Sequence, residues 1–201
     1  MARELVIATR NQKKLKEIKE LLSGLRLKIY GLRDFPGAPY IREDGKTYKE
    51  NAAKKAVRIA KFTQRLTLGE DSGIEIDALG RQPGVRSSRF SGKDKNDLKN
   101  NLKVMELLKC VPYKKRTAHY YAGVALADEN GLIAVTGGKC SGIIGFALRG
   151  SRGFGYDPLF IIPKHKKTFG QLGEKVKHKI SHRAAAIGKA KKIIAKALRC
   201  P

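Results

Sequence analysis

The stretch best suited to chemistry is Glu70-Asp71-Ser72-Gly73, where two acids, a hydroxyl and a glycine follow the apolar run Leu66-Thr67-Leu68. That run predicts a buried strand, and α/β proteins keep their chemistry at strand ends. Acids packed this closely repel one another, so a fold that keeps them together usually supplies a cation, and such oxygen ligands suit Mg²⁺. The alternative interpretation is an acidic turn between strands, since Asp and Ser are common turn formers.

A short polar turn, Thr9-Arg10-Asn11, separates a predicted strand at residues 5–8 from a predicted helix at Gln12–Leu22. The free N–H groups and the positive end of a helix attract phosphate, and Lys13 and Lys14 add charge there. The Walker A pattern occurs nowhere in the chain, which disfavours a P-loop NTPase. A surface turn with solvated lysines is the alternative.

A second helix is predicted to begin after Thr47, because Thr47-x-x-Glu50 is a capping box and an apolar stripe continues to about Phe62. Much of that stripe is alanine, which predicts a close approach of the helix to the sheet. Asn51 and Lys55 lie four residues apart beside the stripe, where they either border a cleft or form a solvated flank.

The rest of the pattern predicts an α/β fold with a mixed sheet. Further strands are predicted at residues 27–30, 74–79, 116–127 and 132–140. The last two, joined by a turn at residues 128–131, form a β-hairpin set inside a βα chain. A third helix is predicted at residues 97–108, with an apolar face formed by Leu98, Leu102, Met105 and Leu108.

Two stretches near the end of the chain could bind a base. Residues 150–158 read Gly-Ser-Arg-Gly-Phe-Gly-Tyr-Asp-Pro and place Phe154 between glycines, which suits stacking on a flat ligand. A glycine-rich turn that buries Phe154 as a plug is the alternative.

Ser181-His182-Arg183 opens a helix predicted to end near Leu198, and Lys177 lies four residues before it. Arginine in a first turn opposes the helix dipole, which favours a ligand-binding role. Otherwise His182 and Arg183 are solvated in a very basic tail.

The totals limit the class of protein. A chain of 201 residues can bury a real core, in one domain or two joined lobes, and its net charge of +25 predicts an anionic partner or substrate. The distant cysteines Cys110, Cys140 and Cys200 indicate neither a disulfide framework nor a zinc site, which fits a reducing cytoplasm. We find no signal or membrane-spanning segment, so a soluble, cytoplasmic protein with no membrane partner is expected.

Six segments taken together, in order and spacing, identify a family. They are Thr9-x-Asn11-x-x-Lys14, Gly45-x-Thr47-Tyr48-x-Glu50-Asn51-Ala52-x-x-Lys55-Ala56, Asp71-Ser72-Gly73, residues 83–92, Gly153-Phe154-Gly155-Tyr156-Asp157-Pro158, and Lys177 with Ile180-Ser181-His182-Arg183. Over nearly its whole length the chain resembles the inosine triphosphate pyrophosphatase family, which acts on non-standard purine nucleoside triphosphates.

The resemblance implies Mg²⁺-dependent hydrolysis of ITP, dITP and XTP to the monophosphate and pyrophosphate, in a homodimer. It also implies a single domain over residues 1–201 with an α/β fold. In that fold an elongated mixed β-sheet is flanked by helices, and two lobes surround a central nucleotide-binding cleft. By position, Thr9, Asn11, Lys14 and Lys55 would hold the triphosphate, Glu43 and Asp71 the metal, with Asp71 also the proton acceptor. Ser72, Phe154, Gly155, Tyr156, Asp157, Lys177, His182 and Arg183 would contact the nucleotide or its base.

The chain departs from the family pattern at two positions and in its charge. Glu70 stands where many members carry Asp, and Arg10 where glycine is frequent. The +25 charge suggests nonspecific nucleic-acid adhesion as a secondary property. Two other functions remain as alternatives: a basic nucleic-acid-binding protein without catalysis, and a related pyrophosphatase of the septum-inhibitor type with other nucleotide preferences.

Overall fold

The computed structural model describes residues 3–197, so the predicted helix end at Leu198 and the thiol of Cys200 lie outside the described residues. The strands are β1 (Arg3–Ile7), β2 (Leu27–Gly31), β3 (Thr67–Ile76), β4 (Gln82–Pro83), β5 (Thr117–Asp128), β6 (Gly131–Ile144), β7 (Phe160–Ile162) and β8 (Lys167–Thr168). The α-helices are α1 (Gln12–Leu22), α2 (Tyr48–Thr63), α3 (Asp97–Leu107), α4 (Glu174–Ile180) and α5 (His182–Ala197).

The strands form a mixed sheet, as the sequence predicts. Its order is β2-β1-β3-β5-β6-β7-β8, and β4 pairs with β3. The β1 strand is parallel to β2 and β3, whereas β6, β7 and β8 are successively antiparallel. The hairpin of β5 and β6 is confirmed, with a connection of two residues. None of the helices in residues 3–197 is long and apolar enough to cross a membrane.

The chain divides into two compact units. Within the described residues, unit 1 holds residues 3–71, 122–138 and 183–197, and unit 2 holds residues 72–121 and 139–182. Unit 2 has an aromatic core that includes Tyr120, Phe160 and Phe169.

In unit 1, α2 approaches the strands closely because its buried stripe is alanine. Ala52, Ala56 and Ala60 form one cluster with alanines of β5. A Cβ built on Gly69 of β3 would lie 2.1 Å from the carbonyl oxygen of Ala52, so no larger residue fits there. The predicted close approach is therefore confirmed.

Side-chain caps start the first two helices where the sequence predicts them. Asn11 Oδ1 accepts a hydrogen bond from the backbone N–H of Lys14 at 3.1 Å, and Thr47 Oγ1 accepts one from that of Glu50 at 3.1 Å. Glu50 Oε2 accepts its return bond from the N–H of Lys46 rather than Thr47, so the predicted capping box closes one residue early.

Two predictions about elements are wrong. The acidic motif does not follow a strand; it lies inside the ten-residue strand β3, and the strand predicted at residues 74–79 is the end of β3 followed by a 3-10 helix at Asp77–Leu79. The apolar face of α3 is also misassigned, because Leu98 and Leu102 are about half exposed, at 55% and 50%, while Asn100 and Asn101 are buried. Asn100 Oδ1 accepts hydrogen bonds from Ser91, so a polar anchor sets the orientation of this helix.

Candidate active site

Successive side chains of a strand point to opposite faces of the sheet, so the residues of the acidic motif in β3 face alternate sides. Leu68 belongs to a cluster with side chains of α1 and α5, and the Glu70 side chain contacts the same two helices. Gly69 and Asp71 instead meet α2. The two acids therefore point apart, and cations of the chain itself accompany each one.

Glu70 is held by three elements in a buried network of charges. Its Oε1 lies 3.0 Å from Arg183 Nη2 at the start of α5, and its Oε2 lies 3.0 Å from Lys14 Nζ on α1. Arg183 Nη1 also lies 2.7 Å from Glu17 Oε2. Burial by itself raises the pKa of Glu70, but the charges of Arg183, Lys14 and Lys55 outweigh it and hold that pKa well below its usual range.

Asp71 is positioned by α2. Asn51 Nδ2 donates to Asp71 Oδ2 at 2.9 Å, and Lys55 Nζ lies 3.9 Å from Oδ1 and 2.5 Å from Glu43 Oε1. Asn51 and Lys55 are buried, which excludes a solvated flank. Burial raises the pKa of Asp71; Lys14 and Lys55 lower it, whereas Glu43 and Glu70 raise it further, and the net shift is upward. The surroundings of Asp71 therefore favour its protonated form, in contrast to those of Glu70.

The turn Thr9-Arg10-Asn11, which is predicted to bind phosphate, is ordered by its own side chains. Thr9 Oγ1 accepts from the N–H of Asn11 at 3.2 Å, and Asn11 in turn caps α1. The bulky Arg10 turns to donate to the carbonyl oxygen of Ala38 at 2.7 Å. All the residues predicted to bind the triphosphate and the metal belong to unit 1, together with the side chains that hold them. They are Thr9, Asn11, Lys14, Glu43, Lys55 and Asp71.

Two carboxylates of this cluster, those of Glu43 and Asp71, are oxygen donors of the kind that hard divalent cations take. Within residues 3–197 no group of three or more His, Cys, Asp or Glu is arranged to hold a metal. Glu43 and Asp71, however, both face the Lys55 ammonium, which shows that their oxygens converge on one cation. Mg²⁺ is usually bound by one or two carboxylates plus phosphates and water, so the number and type of these donors are compatible with a magnesium site.

The base-binding candidates of unit 2 centre on Asp157. Its Oδ2 accepts from Lys177 Nζ at 2.7 Å and from the N–H of Phe154 at 2.9 Å, and the Lys177 ammonium lies 4.8 Å from the Phe154 ring centroid. Gly153 is required here, since a Cβ would lie 2.0 Å from Asp157 Oδ2 and its φ is +78°. Phe154 is half-buried, so it is not a fully buried plug.

The other predicted contacts in unit 2 have diverse surroundings. The His182 ring stacks on Tyr120 with centroids 4.6 Å apart and planes 10° apart. Tyr156 is buried and donates to the carbonyl oxygen of Ser87 at 2.7 Å, while the N–H of Gly155 donates to Asp97 Oδ2 at 2.8 Å. Ser72 is half-buried in β3. These bonds give Tyr156 and Gly155 a role in shaping the loop.

Arg183 differs from the other predicted base contacts, because its guanidinium lies in unit 1 against Glu17 and Glu70. Glu17 and Tyr120 are not among the site residues predicted from the sequence, and neither is the contact between Asn51 and Asp71. A signal for Glu17 exists: it is an acid beside Ile18 on the apolar face of α1, where a charge needs a buried partner. Nothing in the pattern of β5 distinguishes Tyr120 from a core residue.

Comparison with known proteins places this geometry in a family, since the model described as "Ham1 family" matches residues 5–193. The chain belongs to the Ham1 family. A dITP/XTP pyrophosphatase of Desulforamulus reducens is 46% identical over 191 residues, covering 95% of each chain. One from Geobacter sulfurreducens is 43% identical over 183 residues, covering 91% of this chain and 92% of that one. A HAM1 protein structure from Coxiella burnetii superposes with a TM-score of 0.87 at 38% identity, covering 96% of this chain and 99% of that one.

Proposed function

We propose that this chain hydrolyses the non-standard purine nucleoside triphosphates ITP, dITP and XTP to the monophosphate and pyrophosphate. The observation that carries the proposal is Asp71, a buried carboxylate with a raised pKa held between Asn51 and the Lys55 ammonium, in a chain of the Ham1 family. The relatives named dITP/XTP pyrophosphatase support this substrate class.

In the proposed reaction, a water oxygen forms a bond to the α-phosphorus while the bond from that phosphorus to the bridging oxygen breaks, releasing pyrophosphate. Asp71 orients the water and accepts its proton. Lys14, Lys55 and the Thr9-to-Asn11 turn bind phosphate oxygens. Glu43 and Asp71 would hold Mg²⁺, which supplies neutralisation of the phosphate charge when bound.

We assign the choice between purine bases to hydrogen-bond donors of the protein. A 6-oxo group accepts a hydrogen bond where the amino group of adenine donates one, so the Lys177 ammonium and the His182 imidazole favour inosine and xanthine over adenine. Phe154 offers a ring for stacking, and Ser72 is kept as a nucleotide contact. For Arg183 we propose that its ion pairs keep Glu70 and Lys14 in place, in addition to the predicted base contact.

The test is to incubate the purified protein with ITP, XTP, GTP and ATP, with and without Mg²⁺, and to quantify pyrophosphate and orthophosphate separately. We expect pyrophosphate from ITP and XTP at a much higher kcat/KM than from ATP, and a loss of about 100-fold or more in Asp71→Asn. GTP, which shares the 6-oxo group, shows whether selection also depends on the 2-position of the base. Asp94→Asn, the same change at an exposed acid, is the control. Orthophosphate as the product would refute attack at the α-phosphorus, and turnover without Mg²⁺ would refute the proposed requirement for that metal.

Adjacent lysines provide a second matched pair. Lys55 is buried against Glu43, whereas the Lys54 side chain is 38% exposed and pairs with Asp44. Lys55→Met should raise KM for ITP and lower kcat/KM by about 10-fold or more, while Lys54→Met should leave both within about 2-fold. Equal effects of the two substitutions would contradict the assignment of Lys55 to the triphosphate.

A secondary property, nonspecific nucleic-acid adhesion, is proposed from the charge of +25. An exposed run at residues 163–167 contains Lys164, Lys166 and Lys167 and no acid. Retention on immobilised DNA should fall sharply between low and moderate salt and should weaken when these three lysines become glutamine. Retention that salt does not change would contradict it.

A homodimer and a cytoplasmic location remain predictions from the resemblance and from composition. The half-exposed Leu98 and Leu102 of α3 support an interface between copies, since exposed apolar groups favour association. Sedimentation equilibrium of the wild-type protein and of Leu98→Ser/Leu102→Ser decides whether the chain dimerises and whether this face contributes.

A further inference from the structure

Tyr120 is a buried aromatic residue of β5 whose ring contacts a proposed base-binding residue. It is 7% exposed, and its ring lies parallel to the His182 imidazole with centroids 4.6 Å apart. On the core side it packs against Phe160, with centroids 4.6 Å apart and planes tilted by 57°. A ring held this way by a strand and a core fixes the plane of the imidazole stacked on it.

The hydroxyl of the same residue reaches a second base-binding candidate. Tyr120 Oη makes a long hydrogen bond of 3.4 Å to Asp157 Oδ1. The other oxygen of Asp157 accepts from Lys177 Nζ and from the N–H of Phe154. One side chain therefore contacts both the imidazole and the carboxylate that holds the Lys177 ammonium.

We propose that Tyr120 is a specificity-determining positioning residue, which orients His182 with its ring and Asp157 with its hydroxyl; the inference rests on the proposed function. Discrimination between a 6-oxo group and an amino group depends on where the donor lies, because a misplaced donor leaves a buried polar group unsatisfied. Tyr120 acts through these two side chains and does not itself touch the substrate. Loss of its ring should therefore affect base selection more than the chemical step.

Two substitutions separate the ring from the hydroxyl. Tyr120→Leu removes the ring and should lower the ratio of kcat/KM for ITP to that for ATP by about 10-fold or more, mainly through KM for ITP. Tyr120→Phe keeps the ring and should restore most of this ratio. Tyr121→Leu is the matched control: its ring contacts His119 and Lys139 instead, and the ratio should stay within about 2-fold of wild type.

A spectroscopic signature tests the stacking without relying on activity. The ring protons of His182 should be shifted upfield in the NMR spectrum of the wild-type protein by the Tyr120 ring, and the chain has only four histidines to assign. The shift should persist in Tyr120→Phe and disappear in Tyr120→Leu. Its absence from the wild type would overturn the proposal even if Tyr120→Leu fails to fold.

The kinetic outcomes also decide the matter. An unchanged ITP-to-ATP ratio in folded Tyr120→Leu overturns the proposal, as does an equal fall of kcat for every nucleotide, which would mean a purely structural role. Failure of the proposed function has a different readout, because the wild-type protein would then release no pyrophosphate from ITP.

Discussion

Arg183→Met should be among the most destabilising single substitutions in unit 1, because it removes the cation shared by two buried carboxylates. Arg183 is 1% exposed, and its partners Glu70 and Glu17 are 1% and 6% exposed. Removing one partner of a buried ion pair costs about 3–5 kcal/mol, since the remaining charge stays out of water. For a chain of this size that corresponds to a fall in Tm of about 6–20 °C.

The assay is urea denaturation at pH 7 of wild type, Arg183→Met, Glu17→Gln and the double variant. The double variant should lose less than the sum of the single losses, because Glu17→Gln removes one of the carboxylates that Arg183→Met leaves behind. Lys54→Met, which breaks an exposed pair, should lower the free energy of unfolding far less than Arg183→Met does. A loss below about 1 kcal/mol in Arg183→Met, or strict additivity with Glu17→Gln, would refute the reasoning.

The pH dependence of the same experiment has a definite sign. The pKa of Glu70 is lowered in the folded protein, so its ionisation stabilises the fold above the unfolded value of about 4.3 and that contribution is lost as pH falls further. Arg183→Met removes the charge that lowers the pKa of Glu70 most, so the variant should lose less stability than the wild type as the pH falls. The stability gap between wild type and variant should therefore narrow between about pH 5 and pH 3.

Three further outcomes are expected. Gly69→Ala should cost about 3 kcal/mol or more in chemical denaturation, because its Cβ meets α2 backbone at 2.1 Å, whereas Gly188→Ala, in open space on α5, should stabilise by about 0.5–1 kcal/mol. Asn100→Ala should cost about 1–3 kcal/mol by leaving the part-buried backbone N–H of Ser91 without its acceptor, and Leu98→Ala should stay within about 0.5 kcal/mol. In the metal-free protein the carboxyl group of Asp71 should titrate above the usual aspartate pKa of about 3.9, since burial raises its pKa, and the 13C NMR shift of this carboxyl group followed against pH is the measurement.

The sequence predicts best the elements whose signal is local. Helix α1 has both predicted ends, because its cap and its 3.6-residue apolar repeat lie within one short window. The hairpin of β5 and β6 is similar, as its turn residues are adjacent in the chain. Thr47 caps α2 as predicted. The alanine stripe of the same helix also predicts its packing, since only small residues allow α2 to lie so close to the strands.

The errors arise where a distant partner decides the orientation of an element. The apolar residues of α3 suggest a face through Leu98 and Leu102, but the buried hydrogen bonds of Asn100 and Asn101 turn that helix otherwise. The sequence predicts the acidic motif at the end of a strand, because the apolar run stops at Leu68. The motif continues as a strand since Glu70 and Asp71 each find their cations on a different face.

Two residues that are adjacent in a sequence motif therefore need not have the same role. Consecutive residues of a strand point to opposite faces, and consecutive residues of a helix point about 100° apart. Glu70 and Asp71 diverge by the first rule, toward α1 and α5 in one case and α2 in the other. His182 and Arg183 diverge at the start of α5, one ring stacking on Tyr120 and one guanidinium binding Glu17 and Glu70. A motif identifies which residue types are present, but the alternation of its element decides what each of them can touch.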